Sequence, residues 1–306
     1  VETEGLDGPH SGVIGGIYLS RRQDPLDVGN LLPALQSLAA QIASALHRVE
    51  VYRIERELAV AGRIQASFLP DNLPEIPGWQ LAATLEPARE TAGDFYDVIP
   101  LLDGCWGLVV ADVADKGTGA ALYMALSRTL IRTYAVEHHA QPERALHAAN
   151  SRILADASAN LFVTVFYGIL DPAAHTLTYC NAGHNPPYLV GAPGRYQVQA
   201  LGPTGGALGI LDDWTWEQGT VRLAPGDTLV LYSDGITEAQ DAQMALFGEE
   251  RLQQVMQTFL GSPDCRTVCA QDLVDAVLAG VREHVGDAAQ SDDITLMVLA
   301  REPDDA

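Results

Sequence analysis

Six aspartates stand where apolar segments meet turns of small residues. Asp94 and Asp97 belong to GDFYDV, Asp112 ends GLVVAD, Asp234 ends TLVLYSD, and Asp292 and Asp293 open DDITLMVL. Short apolar runs rich in β-branched and aromatic residues read as strands. An aspartate at such a strand's end projects from the rim of a sheet, held on a rigid element. Were these rims to converge, the carboxylates would repel one another, so one must hold a proton or cations must lie between them. Short-armed oxygen ligands suit hard divalent ions such as Mg²⁺ or Mn²⁺. Zinc would call for His or Cys beside them, and no His adjoins any of the six. Two ions ~3.5–4 Å apart would activate a water and clamp a phosphoryl group. A single Asp before Gly is most often a turn residue, so the reading needs the rims together, and spacing alone does not prove that they meet.

The elements that must position these residues follow from the pattern around them. Strands are expected at 80–85, 94–102, 106–113, 162–170, 176–181, 188–190, 196–201, 216–223, 228–232 and 294–300, and helices at 118–138, 141–157, 248–260 and 267–285. Strands come in blocks and helices in pairs, which is not the alternation of a doubly wound parallel sheet. The expected class is α+β, with sheets packed on each other and helices outside.

Ahead of this lies a helical stretch. Leu31, Leu35, Leu38, Ile42, Ala45, Val49 and Tyr52 are spaced 4, 3, 4, 3, 4 and 3 apart, a heptad seam. Arg56 breaks the register, and Ile54, Leu58, Ala61, Gln65 and Phe68 restart it with a shifted phase. Two readings stay open: a parallel two-stranded coiled coil joining an input to an output domain in a homodimer, or a helix whose stripe packs on its own domain. Pro70, Pro74 and Pro77 end the helix. Before it, 12–20 (GVIGGIYLS) reads as one buried strand. A lone strand and helix cannot close a core, so the chain is expected to begin within a truncated domain.

Composition excludes several partners. Forty acidic residues stand against 18 basic ones, a formal charge of −22, and Lys116 is the single lysine. Such a chain repels nucleic acid and anionic membranes. No apolar run approaches the ~20 residues of a membrane span. The four cysteines are scattered, which fits a reducing cytoplasm.

Taken in order, QASFLP, GDFYDV, ADVADKGTGAAL, FVTVFYGILD, YCNAGHNPPYL, LVLYSDGITEAQ and SDDITLMVL resemble the PPM family of metal-dependent serine/threonine protein phosphatases, and within it the bacterial SpoIIE/RsbU branch. The resemblance covers 65–299, while GVIGGIYLS with ALQSLAAQIASAL resembles the last strand and helix of a GAF sensor domain. It implies a truncated GAF-like remnant over 1–47, a helical linker over 48–73, and a phosphatase domain over 74–302 built as a β-sandwich flanked by helix pairs. It implies two ions, Mn²⁺ or Mg²⁺. Asp112 would bridge them, Asp94 and the carbonyl of Val113 would hold one, and Asp234 and Asp292 the other. Asp293 would be the less favoured ligand and Asp97 an outer-shell residue. Hydrolysis of phosphoserine or phosphothreonine by a metal-activated water is implied. The implied substrate is a phosphorylated STAS-type anti-sigma factor antagonist, in bacterial stress or developmental signalling.

The chain departs from the family pattern in three places. Ala92 replaces the first Gly of GGD, Asp115 stands where many relatives have Gly, and Ala114 stands where the eukaryotic branch has a His proposed to protonate the leaving group. None of these removes a ligand. Lys116 and Arg89 are candidate phosphate contacts, the latter because guanidinium binds phosphate in bidentate fashion. His184 reads as a structural turn residue. The glycine-rich 202–209 lacks the ending of a P-loop, and Trp214 and Trp216 read as packing residues. Two alternatives to the protein phosphatase are a pseudophosphatase that binds partners without turnover and an enzyme acting on small phosphoesters.

Overall fold

The computed structural model describes residues 28–70, 72–156, 161–192, 196–261 and 269–303, with side chains from 32 onward. The expected strand at 12–20 and Cys265 lie outside them. By its packing the chain forms one unit up to Val60 and a second from Ala61 to the C-terminus.

Helix α1 (Val28–Ala66) is one unbroken helix that runs through Arg56. Its seam residues Leu38, Ile42, Val49 and Tyr52 are exposed. Ion pairs of Arg53 with Glu50 and Glu57 line its surface.

Ten strands follow: β1 (Trp79–Glu86), β2 (Phe95–Pro100), β3 (Trp106–Val113), β4 (Val163–Asp171), β5 (Thr176–Ala182), β6 (Tyr188–Val190), β7 (Val198–Ala200), β8 (Gly219–Arg222), β9 (Thr228–Tyr232) and β10 (Ile294–Arg301). Five helices accompany them: α2 (Thr118–Glu137), α3 (Pro142–Asp156), the single turn α4 (Asp234–Thr237), α5 (Gly248–Leu260) and α6 (Ala270–Val285). The strands form two five-stranded sheets, ordered β1-β10-β9-β6-β7 and β2-β3-β4-β5-β8. Within both sheets every pairing is antiparallel.

Three apolar cores explain the layering. Between the sheets, Leu229, Leu231, Met297 and Leu299 of one sheet meet Tyr96, Val98, Leu108, Val110 and Phe166 of the other. The outer face of the second sheet, with Phe95, Val109, Ala111, Val165 and Tyr167, packs on Met124, Ile131, Leu146 and Ile153 of α2 and α3. The outer face of the first, with Val230, Tyr232, Leu296 and Val298, packs on Leu252, Met256, Val274, Val277 and Val281 of α5 and α6. Because both faces of each sheet are covered, the strands are apolar almost throughout, as the near-continuous apolar runs foretold. The result is the expected α+β sandwich between two helix pairs.

Strands β7 and β8 are shorter than expected. The chain around them is held by isolated backbone bonds such as Leu201 N–H to Pro187 O and Glu217 N–H to Thr204 O, and by side chains. The Trp216 indole N–H donates to Gly206 O at 2.9 Å. A Cβ at Gly206 would overlap the Trp214 ring, 0.6 Å from the nearest carbon. The glycine-rich segment is therefore a bed for two tryptophans, not a phosphate cradle.

Candidate metal centre

The two-residue period of the strands decides where the aspartates point. In β3, Leu108 and Val110 face the gap between the sheets, so Asp112 lies at the end of that same row. In β2, Tyr96 and Val98 face the gap, and Asp94 precedes them in phase. In β9 and β10 the same parity brings Ser233 and Thr295 to the gap. Asp94, Asp112, Ser233 and Thr295 thus meet at one end of the seam between the sheets.

There Thr295 Oγ1 donates to Asp94 Oδ2 at 2.7 Å, and the Ser233 hydroxyl also reaches that carboxylate. Ser233 is fixed in turn, its Oγ accepting the Thr295 N–H at 2.9 Å. Asp94 is 2% exposed. Burial pushes its carboxyl well above the usual carboxylate range, and the Asp112 charge beside it pushes the same way. Asp112 is pushed up to about 7, first by burial and then by the charge of Asp234, with Asp292 and Asp293 adding to it. Asp234, which opens α4, is also raised by burial and by Asp292, while Lys116 opposes the rise. Four carboxylates from four strand ends therefore feel one another at one rim.

Two close backbone approaches make this possible. A Cβ at Gly93 would stand 3.1 Å from Val113 O, which brings the Asp94 backbone against the end of β3. A Cβ at Gly235 would stand 1.9 Å from Asp293 O, so only glycine lets α4 reach the start of β10.

The rim is open. Among the described residues no group of three or more His, Cys, Asp or Glu side chains is close enough to enclose one ion. Mg²⁺ and Mn²⁺ keep several waters and take one or two carboxylates each. The mutual repulsion of Asp94, Asp112 and Asp234 is what a divalent cation would relieve, so the donor set fits the implied ions.

The remaining candidates separate. Asp293, whose charge is felt by Asp94 and Asp112, has both oxygens taken up by backbone. Its Oδ1 accepts the Ala88 N–H at 2.8 Å and its Oδ2 the Gly93 N–H at 2.7 Å, so it clamps the segment leading to Asp94. Asp97, the candidate outer-shell residue, is held elsewhere. It lies in phase with Phe95 on the other face of β2, and ion-pairs with Arg128 at 3.0 Å and Arg132 at 2.7 Å of α2. Lys116 is exposed but partnered. Its ammonium meets Asp292 Oδ2 at 2.8 Å and donates to Ser291 O at 2.8 Å. Arg89 is exposed on the segment that leads to Asp94. Asp115 adopts φ 85°, the left-handed backbone that glycine favours, and its Oδ1 accepts the Lys116 N–H.

His184 is buried in the turn that its glycine neighbour marks, with its N–H donated to Asn181 Oδ1. Its Nδ1 lies 2.9 Å from Thr164 Oγ1, itself 3.4 Å from Asp112 O. Burial pushes the imidazole down to about 4, so it stays neutral near pH 7. Sequence reasoning missed Ser233, Thr295 and the role of Gln65. The first two were readable from strand parity once Asp94 and Asp112 were assigned to the gap.

The fold is that of a PP2C-type phosphatase domain. Residues 102–302 match the family model described as Stage II sporulation protein E (SpoIIE), and the chain belongs to that family. It is 30% identical to Protein IcfG of Synechocystis sp. over 314 residues, covering 93% of this chain and 48% of that protein. It is 28% identical over 250 residues to the phosphoserine phosphatase RsbU of Bacillus subtilis, covering 81% of this chain and 71% of RsbU. The chain thus spans about half the length of IcfG. Among solved structures, the SiaA-PP2C domain of Pseudomonas aeruginosa shares the fold with a TM-score of 0.70 at 23% identity, covering 82% of this chain and 98% of that one. The RsbU and RsbW domains of Rv1364c from Mycobacterium tuberculosis match with a TM-score of 0.62 at 27% identity, covering 76% and 64%.

Proposed function

We propose that this chain is a Mn²⁺- or Mg²⁺-dependent phosphoserine/phosphothreonine protein phosphatase. The observation that carries this is the meeting of Asp94, 2% exposed, and the half-buried Asp112 at one end of the seam, each pushed toward its protonated form by burial and by neighbouring acids. A protein keeps such a pair at a rim when a cation neutralises it. The name of RsbU as a phosphoserine phosphatase supports the substrate class.

Asp94, Asp112, Asp234, Asp292 and the Val113 carbonyl would hold the ions. When bound, two divalent ions supply an activated water and neutralise the charge of the phosphoryl group. The chain's own residues do the rest. Thr295 and Ser233 hold the Asp94 carboxylate in one orientation. Lys116 holds Asp292 to the turn after β3. Arg89, exposed ahead of Asp94, would receive substrate phosphate as a bidentate partner. The leaving-group proton does not come from His184, whose ring is buried and neutral. With Ala114 where the eukaryotic branch has a histidine, a different acid or a metal-bound water would supply that proton.

The substrate is a phosphorylated STAS-type anti-sigma factor antagonist, as the family resemblance implies. The exposed seam of α1 supports a homodimer through that helix, controlled by an N-terminal sensor. Among the described residues no helix is long and apolar enough to cross a membrane, and we place the protein in the cytoplasm. Phosphate release from a phosphoserine protein with Mn²⁺, against the same reaction in chelator, tests the activity. Equal rates with and without metal contradict it.

A further inference from the structure

The segment 88–93 delivers Asp94 to the rim, and two distant side chains grip its backbone. Asp293 holds the amides of Ala88 and Gly93 from the start of β10. Gln65, in the last turn of α1, holds the residue between Thr91 and Gly93 from the other side. Its Oε1 accepts the Ala92 N–H at 2.9 Å, and its Nε2 donates to Ala92 O at 2.6 Å. Gln65 is 7% exposed, so both bonds are shielded from water. A primary amide is the side chain that can satisfy a backbone N–H and C=O at once; carboxylate can only accept, and an alkyl group does neither. Gly62, one turn earlier, permits the approach, because a Cβ there would stand 1.8 Å from Glu90 O. The last turn of α1 accordingly packs with the unit that begins at Ala61.

We propose that Gln65 is a positioning residue for the metal ligand Asp94: its amide sets the backbone of Ala92 and so places the carboxylate two residues on. The proposal deepens the metal-site reading above and rests on it. The Asp94 side chain is tied to groups of other strands, the hydroxyls of Thr295 and Ser233 and the Asp112 carboxyl, while the Gln65 bonds fix the backbone that carries it. With the backbone released, the carboxylate could stay on those hydroxyls while its approach to Asp112 changed. A ligand displaced by a fraction of an ångström costs metal affinity, as loss of supporting partners does elsewhere, by roughly 10–100-fold.

The test uses the full chain with Gln65→Leu, which removes both bonds, Gln65→Glu, which keeps only the acceptor, and Gly62→Ala, which pushes the helix off the segment. Three quantities are read: amide hydrogen exchange over 88–94, Mn²⁺ affinity by calorimetry, and the Mn²⁺ concentration for half-maximal phosphatase activity apart from kcat. The expected result is faster exchange at Ala92, Mn²⁺ affinity lowered roughly 10-fold or more, and kcat at saturating Mn²⁺ largely kept. Should Gln65→Leu fail to fold, Gln65→Glu carries the same comparison. Faster exchange at Ala92 with Mn²⁺ affinity within about twofold of wild type overturns the proposal and leaves Gln65 a structural anchor. Unchanged exchange overturns it as well. If wild type itself binds no Mn²⁺, the metal-site reading falls and takes this proposal with it, an outcome distinct from equal binding by wild type and variants.

Discussion

Thr295 and Asp94 lie 201 residues apart and meet across the seam between the two sheets, Oγ1 donating to Oδ2 at 2.7 Å. The bond joins the rim of β10 to the rim of β2, so it orients a ligand and closes the end of the sandwich. Thr295→Val keeps the shape and removes the donor. We expect the metal-free protein to lose about 0.5–1.5 kcal/mol in stability, the range for a bond to an uncharged group, since burial pushes the Asp94 carboxyl toward its protonated form, and Mn²⁺ affinity to fall about 10-fold. Denaturant unfolding and calorimetry read the two effects, and Mn²⁺ binding equal to wild type contradicts the assignment.

The pH dependence of the metal-free protein has a definite sign. Asp112 rises from its ordinary 3.8 to about 7 in the fold, and Asp94 and Asp234 move the same way. A carboxyl raised by folding takes up a proton when the chain folds, so its ionisation destabilises the native state. That cost is absent below the unfolded value near 4. It grows as pH rises towards about 7 and is constant beyond. Metal-free protein should therefore lose stability between those limits, measured by thermal unfolding in chelator. Mn²⁺ affinity should rise over the same interval as protons are displaced. An affinity flat from pH 5 to 7 contradicts the coupling.

Asp97 tests where the site ends. It is 1% exposed and paired with Arg128 and Arg132 on the α2 side of β2. Asp97→Asn leaves two guanidinium groups without their counter-charge and should destabilise by ~3–5 kcal/mol. Where the variant folds, its Mn²⁺ affinity should match wild type. A selective loss of Mn²⁺ binding with stability intact would return Asp97 to the ions' surroundings.

The seam of α1 predicts self-association. Ile42 and Val49 are 43% and 65% exposed, although they belong to a heptad series. Ile42→Glu with Val49→Glu should turn a dimer into a monomer in sedimentation equilibrium. Wild type sedimenting as a monomer at micromolar concentration contradicts the proposed homodimer.

Much of this was legible in the residues because the sheets are covered on both faces. Apolar runs such as 106–113 could only be buried strands, and β3 occupies that span without change. The meeting of the candidate aspartates was suggested for the same reason: each stands at the end of an apolar run. Strand parity was also enough to turn Asp97 away from Asp94, since an odd spacing of three puts them on opposite faces. What sequence did not carry was partnership over long separations. Asp293 looked like a second copy of Asp292, and only the fold shows its two oxygens taken up by Ala88 and Gly93. Gln65 looked like one more position of a heptad, and its partner lies 27 residues on in a loop with no periodic pattern. Likewise Lys116 looked free until β10 brought Asp292 to it.

The central claim is that Asp94, Asp112, Asp234 and Asp292 act together on paired cations. Calorimetric titration of Mn²⁺ into wild type and Asp112→Ala, with phosphate release from a phosphoserine protein measured on the same samples, tests it most directly. Wild type should bind two ions and Asp112→Ala should lose the pair, with its rate reduced by roughly 10³-fold or more. Equal ion binding and equal phosphate release by the two proteins would contradict it.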